Sequence, residues 1–121
     1  MKSYYITTPI YYCNDKPHLG HAYTNVACDI IARYHKLKNE DVYFLTGTDE
    51  HGQKVEQAAK LRKISPKKLT DELSKNFLEL TKFLNCSNDD FIRTTEIRHK
   101  ESVHSLWNKL IENDEIYLDK Y

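Results

Sequence analysis

Charge of one sign is not in excess in this chain. Its 121 residues carry 18 basic and 18 acidic side chains. That balance excludes the overall basic field behind non-specific nucleic-acid binding, so no DNA partner is expected. An RNA partner that touches other parts of a longer protein stays open. Long hydrophobic runs are missing too. None approaches the roughly 18 apolar residues of a membrane span, and no membrane partner is expected. The N-terminus lacks the apolar core and small-residue cleavage site of a signal peptide. Cysteine is sparse: Cys13, Cys28 and Cys86 are widely spaced and form no C-x-x-C. Neither a zinc knuckle nor a redox pair is thereby indicated, and reduced thiols in a cytoplasmic protein are expected. There is no G-x-x-x-x-G-K-[ST], G-x-G-x-x-G or G-x-S-x-G, which removes the P-loop, dinucleotide-binding and serine-hydrolase readings. Internal repeats and low-complexity segments are absent as well.

What is present fits a globular domain, with 40% hydrophobic and 30% charged residues. Tyr4 to Ile10 is aromatic and β-branched and reads as a strand buried on both faces. Residues 11–17 read as a polar turn. From Leu19 to Lys38 the apolar positions Ala22, Val26, Ala27, Ile30, Ile31, Tyr34 and Leu37 follow helical spacing. Val42 to Thr46 is a second buried strand, and 47–52 is a polar loop at its end. A short helix is expected over 55–61. Ser65 as N-cap and Pro66 at the first helical position begin a longer one, which runs to Asn85. Phe91 to Thr94 reads as a strand, Ile97 to Asn113 as a helix, and Ile116 to Leu118 as the start of another strand. Alternation of this kind predicts an α/β domain with a parallel sheet and flanking helices. Ligands in such sheets sit beyond the C-terminal strand ends, so the loops at 11–21 and 47–52 should face one crevice.

The chemistry concentrates in those loops. His18 and His21 are three residues apart and share one helix face. At a helix N-terminus they are placed to bind charge developing on a phosphate; the plainer reading is a helix cap. Gly20 costs roughly 1 kcal/mol of helix propensity against alanine, which suits close approach of a nucleotide. Asp49, beyond a strand end, is placed to pair with a substrate ammonium group, or simply to make a turn. Tyr12 offers an aromatic wall, or a core side chain. Ile10 can reach a ligand through its backbone. His18, His21, His51, Asp49 and Glu50 also form a conceivable metal-ligand set, but without H-E-x-x-H. The basic cluster Lys60 to Lys63 with Lys67 and Lys68 reads as a solvated helix junction.

Pro17-His18-Leu19-Gly20-His21 is similar to the His-x-Gly-His signature of class I aminoacyl-tRNA synthetases. Thr8-Pro9-Ile10-Tyr11-Tyr12 and Gly47-Thr48-Asp49-Glu50-His51-Gly52 resemble the methionyl branch of that family, with Thr48 where the leucine, isoleucine and valine branches carry tryptophan. The resemblance implies a Rossmann-like catalytic domain that activates methionine with ATP (and Mg2+) and transfers it to tRNA(Met). It implies that His18 and His21 are catalytic and bind ATP together with Gly20. Ile10, Tyr12 and Asp49 would bind methionine, and His51 would shape the crevice. No metal site is implied in this chain; zinc would belong to the connective insertion of a longer relative. The Lys-Met-Ser-Lys-Ser loop of the family is not found. Residues 1–115 are expected to be the N-terminal half of the catalytic domain, with 116–121 the truncated start of the insertion. The alternative is a catalytically incomplete fragment that at most binds nucleotide or a partner.

Overall fold

The apolar run beginning at Val42 becomes the centre of the sheet. In a computed structural model that describes residues 2–120, this strand, β3, spans Asp41–Asp49. It takes in Gly47 to Asp49, which sequence assigns to a loop. Strand β1 (Ser3–Thr7) pairs parallel with its first half, and β2 (Tyr11–Tyr12) with its end. On the other side β4 (Asp90–Arg93) pairs parallel with Leu45 to Thr48. The helices are α1 (Leu19–Leu37), α2 (Gln53–Leu61), α3 (Pro66–Phe83) and α4 (Ile97–Glu112). The expected α/β class and parallel sheet are observed.

Register shows how the first strand is bent. Thr7 lies opposite Leu45 and Tyr11 opposite Thr48. Four steps on one strand thus span three on the other, so one extra residue is inserted in the Thr8–Ile10 stretch. This is a bulge, and Pro9, with no N–H to donate, suits it. The residues read as a polar turn therefore begin with two strand residues.

Strand β1 is not buried on both faces. Its residues alternate exposed and half-buried, and Tyr5 (59% exposed) stacks on Tyr43 (47%) with ring centroids 6.2 Å apart. One face of the sheet is covered and the other is open. On the covered face Phe44, Thr46, Thr48 and Glu50 are all buried.

Helix α1 covers part of that face in an unexpected way. Its buried residues are Asn25, Asp29 and Ala32, while Val26, Ile30, Ile31, Tyr34 and Leu37 are exposed. Polar partners explain the inversion. Asn25 Oδ1 accepts from Thr46 Oγ1 at 3.5 Å, and Asp29 accepts from Ser87 N–H and Arg33. Burial raises the Asp29 pKa, but the hydrogen bonds from Arg33 and Ser87 outweigh it and hold the carboxyl below its ordinary value.

The main apolar core lies between β2, α2 and α3. Tyr11, Cys13, Val55, Ala59, Leu69, Leu73 and Phe77 form it. Burying each large side chain is worth about 1.5–3 kcal/mol. Burial lifts the Cys13 thiol to about 12, so it stays protonated. Helix α3 starts as expected: Ser65 caps it by accepting from Lys68 N–H at 3.2 Å, and Pro66 follows. Gly47 lets β4 come close, because a Cβ there would meet the Ile92 carbonyl oxygen at 2.0 Å. No strand forms at Ile116 to Leu118, where the chain is irregular with no strand beside it to supply a ladder. The two ends of the expected domain division, Met1 and Tyr121, lie outside the described residues.

Candidate active site

Helix α1 opens on an unusual cap. His18 is the N-cap, with extended backbone, and its Nδ1 accepts from the Gly20 N–H at 3.1 Å. In return the His18 N–H donates to His21 Nδ1 at 3.0 Å. This is a capping box made from two imidazoles. An accepting ring nitrogen carries no proton, so each neutral ring holds its proton on Nε2. Both Nε2–H groups are then left as donors at the positive end of the helix dipole. The cap and the phosphate-binding readings of the histidines are therefore compatible: one ring nitrogen serves each.

The histidines are held differently. Their ring centroids are 3.9 Å apart. His21 meets Tyr11 edge-on at 4.7 Å and Phe77 at 5.1 Å, which roots it in the core. Burial, and then the neighbouring His18, lower the His21 pKa from its ordinary 6.5. At neutral pH His21 is thus an uncharged donor. The more exposed His18 is confined by Gly20. A Cβ on Gly20 would lie 2.9 Å from His18 Cε1 and 3.1 Å from its Nδ1. Sequence reserves this glycine for an approaching ligand; the fold adds an internal reason, room for the His18 ring.

These rings line a cavity of about 310 Å³ together with Ile10, Tyr11, Tyr12 and Lys16. The bulge places them. Tyr11 turns into the core, at 7% exposure, while Ile10 (40%) and Tyr12 (54%) stay accessible. The Tyr12 ring also has Lys54 Nζ 5.6 Å from its centroid, within cation–π range. Tyr12 and Asp49 are register partners and so project from the same face of the sheet. Cys13 N–H donates to the Asp49 carbonyl at 3.1 Å, tying the two loops together. The Asp49 carboxylate accepts from His51 N–H at 3.2 Å through Oδ1.

The second loop reaches elsewhere as well. Asp49 and His51 do not line the cavity of the histidine pair. His51 lines a different one of about 460 Å³ with Glu50, Asp71, Arg93 and Thr95, and its Nε2 lies 3.4 Å from the Thr94 carbonyl oxygen. Among the described residues, no group of three His, Cys, Asp or Glu side chains is placed to hold a metal ion, so the conceivable ligand set is not assembled.

Sequence reading passed over the strongest electrostatic feature here. The Glu50 side chain is fully buried, at 0% exposure. Arg93 grips it through Nε at 2.6 Å and Nη2 at 3.0 Å, and the same Nη2 lies 2.6 Å from Asp71 Oδ1. Thr48 and Thr95 hydroxyls donate to the same carboxylate, and the Glu50 N–H donates to Thr94 Oγ1. The bond to Glu50 pushes the Arg93 guanidinium further up, over the opposing effect of burial, and Asp71 adds to it. Asp71 is held below its ordinary value by Lys67 and then Arg93. The one available signal was an arginine inside the otherwise apolar Phe91-Ile92-Arg93 run.

Taken as a whole, the chain is similar to known proteins. The family described as tRNA synthetases class I (M) matches residues 4–121. A methionine–tRNA ligase of Rickettsia felis is 63% identical over 115 residues, which are 95% of this chain and 22% of that protein. One from Listeria monocytogenes is 56% identical over 119 residues, 98% of this chain and 18% of that protein. The methionyl-tRNA synthetase of Mycobacterium tuberculosis, solved in complex with methionyl-adenylate, superimposes with a TM-score of 0.96 at 48% identity. It covers 100% of this chain and 24% of its own. The chain thus spans about a quarter or less of the length of the relatives it matches.

Proposed function

The chain belongs to the class I tRNA synthetases of the methionine type, and from that membership we propose that it supplies part of the methionine-activating site of a methionine–tRNA ligase. The reaction has two steps. The methionine carboxylate attacks the α-phosphorus of ATP, pyrophosphate leaves, and methionyl-adenylate forms. A ribose hydroxyl at the tRNA(Met) end then attacks the methionyl carbonyl, and AMP leaves. Mg2+ enters with ATP as part of the substrate.

In this reading the Nε2–H groups of His18 and His21 donate to phosphate oxygens as charge builds on them in the first step. A neutral imidazole suits the task, since it binds developing charge without first having to be protonated. Gly20 lies against the adenosine. An Asp49 oxygen pairs with the methionine ammonium group. Tyr12 walls the side-chain pocket, Ile10 contacts methionine through its backbone, and His51 shapes the crevice without a chemical step. No helix among the described residues is long and apolar enough to cross a membrane. The place of action is the cytoplasm.

The observation that carries this reading is the paired cap, which orients two Nε2 donors at one helix N-terminus beside the cavity. A methionine-dependent ATP–pyrophosphate exchange assay tests it. The chain, completed with the segment that follows the matched region in the Rickettsia felis relative, should exchange. No exchange by that soluble, folded protein would overturn the proposal. The coverage of only 22% of that relative favours a second reading for the isolated chain, an incomplete site that at most binds nucleotide or a partner. Exchange by the chain alone would overturn this second reading.

A further inference from the structure

We propose that the Arg93–Glu50 pair, extended by Asp71, is a positioning device for Asp49, setting the affinity for the amino-acid substrate. The inference rests on the assignment of Asp49 to the substrate ammonium group. A buried carboxylate is costly unless fully paired, and a well-packed apolar pair would stabilise the fold as well. Glu50 is buried beside the one carboxylate the site needs, and what it holds there is informative.

Thr48 and Glu50 project from one face of the strand end, and Asp49, between them, from the other. The Thr48 hydroxyl donates to Glu50 Oε1 at 3.1 Å, a bond that bridges Asp49. Arg93 fastens Glu50 from β4 and reaches Asp71 on α3. Thr94 closes the frame, its N–H donating to the Thr48 carbonyl at 3.2 Å and its hydroxyl accepting from Glu50 N–H at 2.9 Å. The backbone on both sides of Asp49 is therefore pinned to two other elements. One Asp49 oxygen takes the His51 N–H. Among the described residues the other makes no hydrogen bond, which leaves it for a ligand. Arg93 with Glu50 and Asp71, plus Lys67 on Asp71, carries no net charge. The network acts through geometry rather than through an attracting field.

The test is exchange kinetics in the completed chain with Arg93→Lys, Glu50→Gln and Asp71→Asn, each with and without Asp49→Ala. Lysine keeps the charge of Arg93 but not its two-pronged grip. Misplacement of a binding group by about 1 Å can cost on the order of 100-fold. Arg93→Lys and Glu50→Gln should raise the methionine KM about tenfold, with the ATP KM changed less than about twofold. Asp71→Asn should shift it less, in the same direction. None should add to Asp49→Ala, because each acts through that residue. Asp71 is half-exposed and its variant leaves no buried charge unpaired, so it carries the test if Glu50→Gln does not fold. An unchanged methionine KM in Arg93→Lys and Asp71→Asn would overturn the inference. So would equal losses for methionine and ATP, or full additivity with Asp49→Ala. An unchanged methionine KM in Asp49→Ala alone would instead overturn the assignment beneath it.

Discussion

Gly20→Ala puts two local effects in opposition. Helix propensity favours alanine by roughly 1 kcal/mol in a helix interior. Against that, the new Cβ would sit 2.9 Å from His18 Cε1, where ordinary contact begins at 3.4 Å. The ring must withdraw by about half an ångström, and the 3.1 Å bond from Gly20 N–H to Nδ1 then exceeds good geometry. Losing an N-cap costs about 1 kcal/mol. The two terms nearly cancel, so the stability of the chain in urea should change by less than about 1 kcal/mol. Pyrophosphate exchange by the completed chain should nevertheless fall about 100-fold, the scale of losing one preorganised donor to developing charge.

The same substitution in a His18→Ala background separates two explanations of the glycine. With the ring gone, alanine has room. It should then stabilise by up to about 1 kcal/mol and cost no further exchange. A glycine kept clear for the nucleotide would behave otherwise, and the ATP KM would rise in the double variant as in the single one. Full stabilisation with unchanged exchange by Gly20→Ala alone, with His18 retained, would refute the confinement of the ring.

Two further outcomes follow from the histidines. His21→Ala in the completed chain should lower the rate of adenylate formation on the order of 100-fold while the methionine KM moves little, because the interaction belongs to the transition state; equal losses in both would contradict the role. Acid should destabilise the fold through the same ring: its folded pKa lies below the ordinary 6.5, so between those values the unfolded chain binds more protons. Its contribution is present above pH 6.5 and is lost as pH falls through the depressed value, and His21→Gln should flatten the decline in urea midpoint between about pH 7 and pH 5.5. A slope identical to the unsubstituted chain would refute it.

What could be read from sequence was what lies within a few residues. The cap at His18 and the Ser65-Pro66 start of α3 rest on contacts spanning three residues or fewer, and the strand at Val42 shows in its apolar run, although it continues to Asp49. The family signature is also local. The Glu50–Arg93 pair spans 43 residues, and no spacing rule links its ends. The bulge is visible only as a mismatch between two strands. The polar buried face of α1 reverses the ordinary amphipathic rule, since Asn25 and Asp29 answer Thr46 and Ser87 across the fold. Strand β1 reads as buried on both faces because its residue types do not say which faces will be covered.

The open sheet face and the paired cap together divide the site into a finished and an unfinished half. The histidines stand on the covered side, where Phe77 and Tyr11 pack against His21 and the cap fixes both rings through backbone bonds. That geometry needs nothing beyond this chain. Tyr12 and Asp49 project with Tyr43 from the open face, and Tyr12 is 54% exposed. Parallel sheets are ordinarily covered on both faces. An apolar substrate side chain bound against Tyr12 would here remain in contact with water over much of its surface, and would gain only part of the transfer energy that an enclosed pocket supplies. In the proposed reading the two Nε2 donors are thus preorganised by this chain's own residues, whereas a methionine side chain set against Tyr12 would need a second wall.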